Sequence, residues 1–181
     1  MPATDLGRDL VKTKLGIGET NVISIRKADE NDAQAAWDMR NAAINSQCTG
    51  HYPPELLEIW TEGEMTEQFV KMVVAGFYVA TLDDHIVGTG AIDLESGEVG
   101  AMFVDPSKMG TGVGKRILSY LEKLALEAGL AHVSLESTLN AAPFYRACGF
   151  AGETAAKYES PRGISLDCIP MRKSLRNIAG S

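Results

Sequence analysis

The segment Val99-Gly100-Ala101-Met102-Phe103-Val104-Asp105-Pro106-Ser107-Lys108-Met109-Gly110-Thr111-Gly112-Val113-Gly114-Lys115-Arg116-Ile117-Leu118 constrains this chain more than any other. An apolar run reads as a strand and Asp105-Pro106 as a turn. Glycines then stand at alternate positions before an amphipathic helix, with Val113, Ile117, Leu121, Leu124, Ala125 and Ala128 at helical spacing. Glycines at 110, 112 and 114 permit positive φ and let successive N–H groups approach a ligand without a Cβ in the way. The first amides of a helix have no intrahelical partner, and the aligned peptide dipoles add positive potential there. Strand, glycine turn and helix N-terminus together make an anion cradle suited to a phosphate or pyrophosphate. Lys115 and Arg116 add charge just inside the helix; the alternative is a turn that merely connects strand to helix.

Two familiar phosphate motifs do not fit. A P-loop needs four residues between its glycines, followed by Lys and then Ser or Thr. Here three residues separate Gly110 from Gly114, and Lys115 is followed by Arg116. A dinucleotide fingerprint would need a third glycine at position 115, which is lysine.

At 181 residues, with 45% hydrophobic and 23% charged residues, the chain matches a single globular domain able to bury a core. A net charge of −7 without a long basic run argues against nucleic acid as a partner, though backbone amides still allow a local anion site. The longest nearly apolar run, Met72 to Leu82, is too short to span a bilayer. Asp5, Arg8, Asp9 and Lys12 interrupt any signal-peptide core, so no membrane association and a cytoplasmic location are expected. Cys48, Cys148 and Cys168 form no CxxC pair and read as reduced thiols in or near the core. The histidines at 51, 85 and 132 lack ligand spacing, so no metal is expected.

Residues 1–21 read as an N-terminal extension, 22–175 as one domain and 176–181 as a tail. Val22 to Arg26 alternates as a first strand. Asp29 then precedes a helix, ending near Asn45, with Ala33, Ala36, Trp37, Arg40, Ala43 and Ile44 at helical spacing. Pro53-Pro54 starts a short helix through Trp60, and a second runs from Thr66 to Ala75 until Gly76 stops it. Phe77 to Leu82 and Ile86 to Leu94 form a hairpin about Asp83-Asp84. Gly129 closes the helix after the cradle, and Ala131 to Ser137 follows as a strand. A strand–helix–strand order requires a crossover, so this strand and the one ending at Val104 are expected to be parallel. Asn140 is expected to cap a short helix, Ala141 to Cys148. Ala151 to Tyr158 and Ile164 to Ser174 complete the chain as an antiparallel pair.

Two pieces, in this order and spacing, carry a family resemblance. They are Val104-Asp105-Pro106 followed by Gly110-Thr111-Gly112-Val113-Gly114, and Asn140-Ala141-Ala142-Pro143-Phe144-Tyr145-Arg146-Ala147-Cys148-Gly149-Phe150. With them the chain resembles the GNAT superfamily of acyl-CoA-dependent N-acyltransferases from Val22 to Leu175. It departs from the usual pattern at Met109, where Gln or Arg is common, and at Thr111, where a basic residue is common.

The resemblance implies an α/β fold with a mixed sheet of about seven strands, whose parallel central pair splays apart. It implies acetyl-CoA as cofactor, with the pantetheine arm along Met102, Phe103 and Val104. The pyrophosphate would lie on amides of Met109, Gly110, Thr111, Gly112, Val113, Gly114 and Lys115, and Asn140, Phe144 and Tyr145 would complete the cofactor site. Amine attack on a thioester needs a neutral amine, a stabilised oxyanion and a proton for the departing thiolate. By analogy, N–H groups at Met102 or Val104 hold the oxyanion, Tyr145 supplies the proton and Glu98 is the base, with Glu136 in reserve. Acceptor recognition is expected from 46–62 and 158–163, with His51, Tyr52, Trp60, Tyr158 and Arg162 as candidate contacts. Tyr52 and Trp60 equally fit a packing role. The implied acceptor is a small-molecule or peptide amine, and a homodimer is compatible with the family. A different acyl donor, an oxygen acceptor, or a non-catalytic acyl-CoA-binding module are the alternatives.

Overall fold

The computed structural model describes residues 22–176, so the expected 1–21 extension and nearly all of the expected tail lie outside the described residues. After β1 (Ser24–Lys27), Asp29 and Asp32 form a reciprocal capping box around a 3-10 turn, Glu30–Asp32, which feeds α1 (Ala33–Gln47). The Asp32 carboxylate also accepts from both terminal nitrogens of Arg26, at 2.7 and 2.9 Å, so one side chain ties strand to helix. α2 (Pro54–Thr61) starts on the Pro-Pro pair, and α3 (Glu67–Gly76) is capped by Thr66, whose hydroxyl accepts from the Phe69 N–H. β2 (Phe77–Leu82) and β3 (His85–Ile92) form the expected hairpin, and both turn residues, Asp83 and Asp84, hold positive φ, 49° and 62°.

β4 (Val99–Val104) leads through a 3-10 turn, Pro106–Lys108, into α4 (Val113–Glu127), and β5 (His132–Thr138) follows. The end of α4 is a Schellman closure: Leu130 N–H donates to Ala125 O at 2.9 Å and Gly129 N–H to Leu126 O at 3.0 Å. α5 (Ala142–Ala147), β6 (Ala156–Glu159) and β7 (Ser165–Ser174) complete the described chain. β6 is shorter than the sequence suggests. Ala151 makes only an isolated bridge to Arg172, and Gly152 then passes so close to the Pro170 carbonyl that a Cβ there would collide with it, so pairing resumes at Ala156.

The strands form two antiparallel sheets, β1-β2-β3-β4 and β5-β7-β6. They meet at one parallel bridge, Glu98 to Ser134, where Ser134 N–H donates to Gly97 O at 3.0 Å. Beyond it β4 and β5 part, giving the expected splayed parallel pair within a mixed α/β fold of seven strands among the described residues.

α4 covers one face. β3 makes room for it with Gly88 and Gly90, where a Cβ would stand 2.7 and 2.5 Å from Ile117. Val113, Ile117, Leu118 and Leu121 are buried against that face, each such side chain contributing roughly 1.5–3 kcal/mol of transfer free energy. α1 and α3 cover the other face through Ala33, Ala36, Trp37, Phe69 and Val73. A third cluster joins Ile44, Cys48, Tyr52 and Leu57 to Ile164, just before β7, and Leu166 of β7, with Phe103, Trp60 and Leu139 packed against it. Among the described residues no helix is long and apolar enough to cross a membrane.

Candidate active site

The N–H groups of Gly110, Gly112, Val113, Gly114 and Lys115 make no hydrogen bond among the described residues, whereas Arg116 N–H already closes the first helical bond to Gly112 O at 3.1 Å. Gly110 and Gly112 have φ of 74° and 90°, which turns successive amides toward one side. These unpaired donors sit at the positive end of a helix fifteen residues long. Thr111 does not add a side-chain donor to them: its hydroxyl donates back to Lys108 O at 2.6 Å. Gly114 is also a packing position, since a Cβ there would lie 3.3 Å from the Phe144 ring. The first turn of α4 and α5 therefore meet at the cradle, fitting the residues to a phosphorylated ligand.

The cradle continues into the gap between the sheets. Asp105 N–H donates to Val87 O at 2.9 Å, which fixes the antiparallel alternation along β4. The backbone groups of Phe103 and Ala101 face β3, and those of Met102 and Val104 face the gap. On β5, Leu175 N–H donates to Ala131 O and Ser134 N–H to Gly97 O. The same alternation points the backbone of Glu136 and Thr138 into the gap from the other side. Two strand edges with unpaired groups thus face each other over Met102 to Val104, able to pair with an extended ligand carrying amide groups. A register shift between Ala91 and Ile92 leaves Gly100 as an extra residue in β4, just where the strand departs from β5.

Tyr145 is buried on α5 between Phe144 and Phe150, with ring centroids 5.2 and 5.7 Å away in edge-to-face geometry. Burial raises its phenol above the ordinary value, with Cys148 adding to the effect, so the group keeps its proton through neutral pH. Its hydroxyl has no hydrogen-bond partner among the described residues, yet it is not sealed from the surface. Glu98 stands at the joint of the sheets, exposed, on the face opposite the buried Val99. Glu136 is exposed on β5. Asn140 does not cap α5 as expected: the N-cap is Ala141, without a side-chain bond, and the Asn140 side-chain Oδ1 instead accepts from the Cys48 thiol at 3.5 Å.

The expected acceptor residues divide. Tyr52 is buried, and its phenol donates to Asp167 O at 2.6 Å and accepts from Leu139 N–H at 3.1 Å, tying the α1–α2 connection to the second sheet. Burial pushes that phenol up to about 12. Trp60 packs edge-to-face on Tyr52 at 5.8 Å. His51 is exposed beside a depression of about 750 Å³ at the α1–α2 connection, which includes neither a cradle glycine nor a gap residue. Tyr158 and Arg162 are exposed on β6 and the loop after it. Arg162 donates to Ile59 O and Glu62 O and stands over the Trp37 ring, 5.4 Å from its centroid. Arg40, a cation within the apolar stripe of α1, is not among the residues the sequence singles out for the site. It donates to Trp60 O at 3.0 Å and lies 5.1 Å from the same Trp37 ring.

An anion cradle that opens onto two facing strand edges has the donors and the shape for an extended, phosphorylated ligand. Residues 48–175 match the family model described as an acetyltransferase (GNAT) domain. The chain belongs to the GNAT acetyltransferase family. It is 39% identical over 97 residues to an "IAA acetyltransferase" of Azospirillum brasilense, a match covering 50% of this chain and 63% of that protein. The chain thus spans less than two thirds of that relative's length. Among solved structures it resembles a GCN5-related N-acetyltransferase from Rhodopseudomonas palustris, with TM-score 0.77, 25% identity, and coverage of 84% of this chain and 95% of that one. It shares the fold of the PaiA N-acetyltransferase of Thermoplasma acidophilum, solved with coenzyme A, with TM-score 0.66, 20% identity, and coverage of 84% and 99%.

Proposed function

We propose that this chain transfers an acetyl group from acetyl-CoA to a primary amine of a small molecule or peptide. The observation that carries the reading is the continuity of five unpaired cradle amides with the open edges of β4 and β5. A pyrophosphate on the amides of Gly110 to Lys115 would lead a pantetheine arm to Met102 and Val104, with Phe144 beside it. Bound acetyl-CoA supplies an activated thioester to that gap. Met102 and Val104 offer N–H groups to negative charge developing there, and these donors cost no reorganisation because the strand already fixes them. Tyr145 holds a proton, in an apolar setting, for a departing thiolate. Glu98 accepts a proton from the amine, directly or through water. The family and the coenzyme A complex of a protein with the same fold support this assignment.

The test is release of free thiol from acetyl-CoA over a panel of primary amines and short peptides, with Glu98→Gln measured in parallel. Turnover is expected, and in the variant a rate recovered at high pH. Binding of acetyl-CoA without turnover on the whole panel would favour a sensing module instead, and an unchanged pH profile in Glu98→Gln would remove the base role.

A further inference from the structure

We propose that the acceptor amine carries a compact oxyanion, a carboxylate or a phosphate monoester, and that Arg40 and Arg162 receive it beside Trp37. The proposal rests on the acetyltransferase reading and names the substrate class of that same site.

Both guanidinium groups stand over one indole ring, at 5.1 and 5.4 Å from its centroid. Arg26, Lys123, Arg146, Lys157 and Lys173 each pair with a carboxylate, whereas neither Arg40 nor Arg162 has an acidic partner among the described residues. Burial and the adjacent Arg162 charge lower Arg40 to about 10, a mutual repulsion that a bound anion would relieve. Tyr158 stands close enough to act on the same charge.

The hydrogen bonds that hold the pair leave donors free. A guanidinium has five N–H groups in a fixed fork. Arg40 uses Nη1 on Asn41 and Nη2 on Trp60 O, and Arg162 uses Nη1 alone, on Ile59 O and Glu62 O. These carbonyls lie at or just past the C-terminal end of α2, where a cation is favoured by the helix dipole. One cation satisfies that need; a second one, brought from another sheet's loop to the same ring, is what capping leaves unexplained. The carbonyl contacts orient both forks, and oriented forks suit bidentate recognition of carboxylate or phosphate.

Position relates the pair to the reaction. Trp60, whose carbonyl holds Arg40, packs against the same buried cluster as Phe103 of β4 and Leu139 just past β5, residues from the two sides of the gap. Ile44, one turn after Arg40 on α1, is buried in the same cluster. Residue alternation sets Phe103 on this face of β4 and Val104 on the α4 face. An acceptor anchored by its anion at the arginines would therefore approach from the face opposite α4. A chain of net charge −7 repels anions generally, so such an acceptor needs a local cationic anchor of this kind.

Two measurements on the full chain test this, with Arg162→Gln and the charge-keeping Arg162→Lys. The first is thermal unfolding at constant ionic strength without cofactor, in glutarate, inorganic phosphate or neutral glutaramide. One or both anions should raise the Tm of the wild type and of Arg162→Lys but not of Arg162→Gln, and glutaramide should raise none. An equal response to glutaramide, or an undiminished anion response in Arg162→Gln, overturns the proposal. The second is thiol release with γ-aminobutyrate against its amide and phosphoethanolamine against ethanolamine. At least one anionic amine should exceed its neutral counterpart in kcat/KM by roughly tenfold or more, mainly through KM, and Arg162→Gln should abolish most of that ratio. Whichever anionic amine leads identifies the oxyanion; a wild-type ratio near one for both pairs overturns the proposal. A failure to bind acetyl-CoA would defeat the acetyltransferase reading alone, because the anion response is read without cofactor.

Discussion

Tyr145 and Tyr52 show how much a phenol's surroundings decide its use. Tyr52 has its donor and its acceptor capacity engaged by Asp167 O and Leu139 N–H, so it serves as a strut between the two halves of the molecule. Tyr145 has an equally buried ring but a hydroxyl without a partner among the described residues, beside the helix that meets the cradle. Tyr145→Phe removes that hydroxyl alone. Steady-state kinetics should show kcat reduced by roughly a hundredfold with acetyl-CoA affinity retained. A wild-type rate would exclude the phenol from proton transfer. The sign of the pH effect follows from burial: a raised phenol stays protonated, so loss of rate through its ionisation belongs above about pH 10 and not in the neutral range.

Among the elements, α4 carries the site by its first turn and the fold by its buried face. Gly112 and Gly90 illustrate the two demands. Nothing lies within 4 Å of a Cβ added at Gly112, whose φ is 90°, so glycine serves conformation there. At Gly90 a Cβ would stand 2.5 Å from Ile117 and 3.1 Å from Leu121, so glycine serves contact between β3 and α4. Gly90→Ala should therefore lower stability by about 1–3 kcal/mol, read as the denaturation midpoint, as α4 is pushed off the sheet. A midpoint equal to the wild type would mean that α4 has slack the packing does not show.

For the molecule as a whole, the consequential feature is how little joins the sheets directly. Among the described residues one bridge, Glu98 to Ser134, and the side-chain clusters under α4 and α2 hold them, while the edges beyond have no strand partner. A ligand that pairs with both edges closes that gap. At a hundredfold excess over its dissociation constant, acetyl-CoA should add about 2.7 kcal/mol, raising Tm by roughly 5–10 °C. Amide exchange at Met102 and Val104 should slow in the same experiment, and that of Phe103, already bonded to β3, should change least. Absence of any Tm shift with acyl-CoA would contradict the proposed cofactor.

Local patterns announce most elements of this fold. The two-residue Asp83-Asp84 turn, the Gly129 closure and the glycine spacing of the cradle each depend on residues a few positions apart, so sequence alone reveals them. Side-chain partners far apart in the chain leave no such local pattern. Asn140 looks like a helix cap, yet its side-chain Oδ1 accepts from the Cys48 thiol, 92 positions away. Arg40 looks like one more member of a helical stripe until Trp60 and Arg162 are brought beside it. The sequence determines the anion cradle and the family, because glycine φ, helix polarity and the succession of strand, glycine turn and helix are properties of short stretches. Which backbone groups face the gap, which phenol is left unpaired and which cations lack a counter-charge follow only from long-range packing. That packing brings Arg40 of α1 and Arg162 of the β6–β7 loop to a single indole, Trp37.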